Sequence, residues 1–178
     1  MSCLPNTPTT ANILSDPITD GFQPLGTGLI STALSRYYPL IAAVVPMQSV
    51  MNTSLQHGVI RQLDFLESVP TLGDVKKTPL LIYCYGQPAP SSPTSGAVYN
   101  GASSGLMGII KVADTDYKRV SDTIWIASVQ PNLHIRTTSG ASSQIINLVI
   151  VSDSATSVTY AATSAGSVRL FVEQGTAL

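Results

Sequence analysis

Short apolar runs, each closed by a turn signal, repeat along this chain from residue 25 onward, and that rhythm restricts the fold more than any other feature. TALSRYYPLIAAVVP reads as one or two strands ending at Pro46. HGVIRQLDFLES sets Val59, Arg61, Leu63 and Phe65 against Ile60, Gln62, Asp64 and Leu66, an imperfect strand alternation. PLLIYCYGQ (79–87) is a strong strand, because aromatic residues and Ile suit a pleated surface. GLMGIIKVA (105–113), TIWIASV, NLHIRTT, QIINLVIVS, SVTYAA and SVRLFVEQ complete the series. Their spacing approaches the ~8–12 residues per turn of sandwiches and barrels. The expected class is all-β: a jelly-roll or Greek-key antiparallel β-sandwich with one or two short helices in connections. The helix candidates are PMQSVMNTSLQHG (46–58), with Met47, Val50, Met51 and Leu55 on one side, and DTDYKRVSD (114–122), capped by Asp114. The methionine stripe reads as core contact rather than a binding groove.

The first 24 residues follow neither pattern. Pro5, Pro8, Pro17 and Pro24 interrupt any helix, yet Leu4, Ile13, Leu14, Ile18 and Phe22 are scattered among them. The chain therefore divides into an extended N-terminal arm (1–24) and one domain (25–178). An arm with apolar anchors and no core of its own gains from lying on a neighbouring subunit, where those five side chains fill shallow pockets and order on association. The plain alternative is a floppy tail.

Charge points the same way. Only 11% of the 178 residues are charged, against about a quarter in ordinary soluble domains. A surface so poor in charge is expected to meet other protein. A Ser/Thr-rich, fibre-like β protein shares this composition. Nine Lys plus Arg against ten Asp plus Glu give a net charge of −1, and no basic run occurs. Tight, salt-sensitive nucleic-acid binding by the chain alone is not expected. Cys3 and Cys84 do not suggest a disulfide framework; a buried thiol and a free terminal one are expected. No signal-like segment opens the sequence, and the longest apolar run, Leu40 to Val45, is far below the ~20 residues that span a bilayer. A soluble chain, intracellular when made and without a membrane partner, is expected.

Chemistry is sparse. GASSG (101–105) matches G-x-S-x-G with Ser103 as nucleophile, and Asp122 and His134 follow in hydrolase order. That motif needs a strand, a strained turn and a helix, whereas here a Ser/Pro/Gly loop precedes it and a strand-like run follows. A flexible turn is the preferred reading. His57 and His134 lack metal-ligand spacing, and Asp114/Asp116 is a D-x-D pair without the rest of a calcium loop. A turn start suits that pair better than an ion shared with a neighbouring subunit. No phosphate-binding glycine loop is present. The expectation is no catalytic residue, no metal and no cofactor. A non-enzymatic binding module, lectin-like or a phage tail or fibre piece, is the alternative, with binding at Tyr83, Tyr85, Tyr99 and Trp125 exposed beside polar groups.

From PMQSVMNTSLQHGVIRQLDFLES onward the order of features resembles the coat proteins of tymoviruses and their relatives. The resemblance runs over about residues 46 to 172: a helix leading into LQHGVIRQL, VPTL before the next strand, the Cys-bearing LLIYCYGQPAPSSPTSG, the turn YKRVSDTIWIASVQPNLHI and a closing GSVRLF strand. It implies a jelly-roll subunit that assembles with copies of itself, or with other coat subunits, into an icosahedral shell around single-stranded RNA. The arm would face inward. RNA would be held weakly and without sequence readout. The protein would reside in the virion, and in host cytoplasm during assembly. A family histidine that follows the first helix and faces RNA is matched by His57; an ordinary imidazole titrates near ~6.5, so mild acid charges it. A hydrogen-bonded histidine at a helix end is the alternative. The second family histidine, near the end of the last strand, has no match, for Phe171 stands there. Loops rich in Ser, Thr, Pro and Gly, at 88–104 and 137–143, suit an outer rim.

Overall fold

The computed structural model describes residues 22–25, 29–51, 57–87, 89–136 and 144–175. Among these residues ten strands make two antiparallel sheets: β1 (Gln23–Pro24), β2 (Val45–Met51), β3 (His57–Ser68), β4 (Leu80–Tyr85), β5 (Leu106–Val112), β6 (Tyr117–Arg119), β7 (Ile124–Val129), β8 (Leu133–Arg136), β9 (Gln144–Ser152) and β10 (Ala165–Gly175). One sheet runs β1-β10-β3-β7-β6, with β8 also on β3, and the other runs β2-β9-β4-β5. The protein is an all-β sandwich. Its core lies between the sheets, where Leu63 and Phe65 of β3 and Leu170 of β10 meet Ile82 of β4, Ile110 of β5 and Leu148 of β9. No helix among the described residues is long and apolar enough to cross a membrane.

The helix expected over 46–58 is corrected to a strand from Val45 to Met51, and His57 opens the next strand instead of closing a helix. Pro46 lies within β2, an outer strand of its sheet, the kind of strand to which proline in a sheet is largely confined. Met47 is fully buried, as expected of a core methionine. The second helix shrinks to a 3-10 turn at Asp114–Asp116 that runs straight into β6. Its capping carboxylate is that of Asp116, which accepts the Ala113 N–H at 2.8 Å, rather than Asp114. Another 3-10 turn spans Leu72–Asp74. TALSRYYPLIAAVVP contributes single bridges at Leu34 and Pro39 before β2 begins. SVTYAA contributes one, at Val158.

The imperfect alternation of β3 has a local cause. The β3–β10 register slips between Phe171 and Val172, leaving Arg61 as an extra residue in β3. An extra residue reverses which face later side chains take. Ile60 is therefore buried with Leu63 and Phe65, while Val59, Gln62 and Leu66 face outward, half-buried. Arg61 donates to Asn132 Oδ1 at 2.9 Å and pairs with Glu173. Asn132, at φ +47°, turns the chain between β7 and β8, which together cover the full length of β3. Asparagine tolerates that left-handed backbone better than most residues.

Strand β9 is buried on both sides. Ile146, Leu148 and Ile150 face the main core, and Val149 and Val151 pack with Tyr85 in a second cluster on the outer side of the sheet. This accounts for the unbroken apolar run, since a strand covered on both faces has no polar side. The cover includes residues of the 86–105 loop: Tyr99 donates its N–H to Tyr37 O at 2.9 Å, Asn147 Nδ2 donates to Gly86 O at 3.1 Å, and Pro93 is buried. The 89–105 part of that loop is packed on the outer side of the sheet with most of its residues exposed, while 137–143 lies outside the described residues. Cys84 is a free, buried thiol pushed up to about 12 by burial.

At one end of the sandwich Glu67 is fully buried and accepts the N–H groups of Lys76 and Lys77 at 2.8 and 3.0 Å. Tyr117 and Tyr160 close this end by donating to Thr78 O and Thr78 Oγ1. Burial pushes the Glu67 carboxyl up, and the two backbone bonds and the Lys76 and Lys77 charges only partly oppose this. A carboxyl raised by folding gives stability that is complete below its unfolded value of 4.5 and is lost as pH rises through the folded value. Urea melts from pH 4.5 toward neutrality should show this decline, and Glu67→Gln should remove it from a lower starting stability. An unchanged slope in the variant would refute the assignment.

Candidate functional site

Both histidines of the described chain end on one face. Inward-facing Gly58 and Ile60 of β3, and Ile135 of β8, fix the parity of the strands around them. His57 stands opposite Arg136, and Val59 opposite His134, so His57, His134 and Arg136 share the outer face of the larger sheet. His57 and His134 are then diagonal neighbours, a separation of about 7–8 Å between backbones. His134 and Arg136 are exposed, and His57 is half-buried.

The charges nearby are largely matched. Arg61 pairs with Glu173. Asp64, only 1% exposed, accepts from Gln62 at 2.8 Å, Ser128 at 2.7 Å and both Nε and Nη2 of Arg169 at 3.1 and 2.7 Å. The Arg169 guanidinium lies between the Phe22 and Phe171 rings, 4.4 and 4.7 Å from their centroids. By contrast, no hydrogen bond or ion pair among the described residues engages the Arg136 guanidinium. The side chains left over on this face are one guanidinium and two imidazoles, beside the amides of Gln62 and Asn132. No family model, curated protein or solved structure matches the chain.

His57 thus sits at the start of a strand, not after a helix. The Phe171 ring lies 4.7 Å from the Arg169 guanidinium. His134 and Arg136 come beside His57 through the pairing of β8 with β3, a neighbourhood that the sequence does not display. Strand register, which brings them beside His57, has no signature in a short segment. Of the arm residues, Phe22 packs on Arg169 of its own chain, and Gln23–Pro24 pair with β10. Leu4, Ile13, Leu14 and Ile18 lie outside the described residues, as does Cys3.

The other candidates do not converge. Ser103 is exposed in the loop over the smaller sheet, with a strand following it, whereas His134 belongs to the larger sheet and Asp122 pairs with Arg119. Among the proposed binding aromatics Tyr85 is fully buried, a correction to its expected exposure. Tyr83 stacks on Tyr85, and Tyr99 meets Tyr83 edge-on at 5.3 Å. Trp125 lies apart on the larger sheet, with Lys77 Nζ 5.0 Å above its ring.

Proposed function

We propose that this chain is the coat protein of a small icosahedral single-stranded RNA virus, a non-enzymatic subunit that assembles with copies of itself. The observation that carries the reading is strand order. Leaving aside short β6 and joining β8 to β7, the orders β1-β10-β3-β7 and β2-β9-β4-β5 agree with the strand order of a double Greek-key jelly roll and support that reading, and jelly rolls are a fold used for viral shells. Fold alone does not assign function. Two further features support assembly: the proline-interrupted stretch before Phe22, and the exposed apolar side chains Leu72, Val98, Leu106, Ile109 and Val120. The His57–His134–Arg136 face is the proposed contact for RNA phosphate, without sequence readout.

Negative-stain images and size exclusion of the full chain should show uniform closed particles. The arm is best cut before Phe22, because residues 23–24 belong to the sheet. Removing residues 1–21 should give particles of mixed size or free subunits. Joint replacement of His134 and Arg136 by alanine should lower the RNA packaged per particle. A sharp monomer peak across a wide concentration range would overturn the reading.

A further inference from the structure

The loop between β4 and β5 borders an open cavity of 430 Å³ whose lining carries no charged residue. Ser91, Ser92, Thr94 and Asn100 bring hydroxyl and amide groups to it, and no hydrogen bond among the described residues engages those side chains. Pro93 and Val98 supply apolar surface.

Tyr99 also lines the cavity. Its Oη lies 2.9 Å from the Oη of fully buried Tyr85, which in turn accepts the Ala102 N–H at 3.2 Å. Tyr99 donates its one phenol proton across this contact to Tyr85. Burial and the bond it donates to Tyr85 push the Tyr99 phenol above its ordinary range, so it stays neutral and keeps that bond at neutral pH. The Tyr99 oxygen is then left as an acceptor for a hydroxyl of an occupant.

These features select a ligand class. An anion finds no counter-charge here. A purely apolar molecule would strip water from four uncommitted polar side chains and return nothing. A neutral polyol satisfies both kinds of surface. We propose that this cavity binds a neutral saccharide, with Tyr99 and Asn100 hydrogen-bonding its hydroxyls and Val98 and Pro93 against its C–H face.

The test uses the full chain and saturation-transfer NMR. The probes are the methyl glycosides of glucose, galactose, mannose and N-acetylglucosamine, with glucuronic acid and glucose 6-sulfate as anionic controls. At least one neutral glycoside should receive saturation, in preference to both anions. Asn100 is exposed and makes no internal bond, so Asn100→Ala should fold normally and bind about five- to tenfold more weakly, the worth of one hydrogen bond. Ala97→Trp, at another exposed position of the lining, should block binding. Particle formation should be unchanged in both variants, which separates this site from the assembly reading. Absence of transfer to every neutral glycoside, preference for the anions, or wild-type binding by both variants would overturn the proposal.

Discussion

Replacing Arg169 with alanine is expected to destabilise the protein by about 3–5 kcal/mol, the usual penalty when one partner of a buried ion pair is removed. Its partner Asp64 is 1% exposed and keeps only the Gln62 and Ser128 donors once the guanidinium is gone. The same change removes the support of the Phe22 ring, which rests on that guanidinium beside β1. For a chain of this length the melting temperature should fall by on the order of 10 °C. Replacing Asp64 and Arg169 together by leucine should recover most of the loss, because an apolar pair leaves no charge stranded. Thermal and urea melts of the full-length single and double variants decide the matter. A loss below about 1 kcal/mol in Arg169→Ala would show that Asp64 is stabilised by something other than this pair.

Ile60 and Val59 are expected to behave oppositely to a strict alternation counted from Val59 through Leu63. The extra residue at Arg61 turns Ile60 into the core and leaves Val59 on the outer face, half-buried. Ile60→Ala should cost about 2–5 kcal/mol, the range for opening a cavity in a packed core. Val59→Ala should cost roughly 1 kcal/mol or less, since less of its surface leaves water. Equilibrium urea denaturation of both variants measures the contrast. Equal losses, or a larger one at Val59, would place the register slip elsewhere.

That pair marks the boundary of what the sequence discloses. The strand over 57–68 was legible from its alternation, whereas the slip within it was not. A bulge is set by the partner strand, here by Phe171 and Val172, and leaves only a blurred period. The 46–58 stretch misleads for a related reason. Proline is tolerated both at the first turn of a helix and in an outer strand, and four apolar residues at helical spacing favour the wrong choice. SVTYAA has strand-like composition, but Tyr160 is buried by a side-chain bond to Thr78, with no ladder around it. The patch on the larger sheet was half visible. His57 came from a resemblance in feature order, while His134 and Arg136 reach it only through pairing with a strand remote in sequence. Tyr85, offered as a surface aromatic, is hidden because the Pro/Ser loop folds back over its sheet.

Pro46 carries one more implication. A rim strand that lacks a donor cannot be extended cleanly by main-chain pairing at that point. A second chain approaching along β2 would have to grip by side chains and shape, and a fibril that grows by adding backbone to backbone is discouraged from starting on this margin.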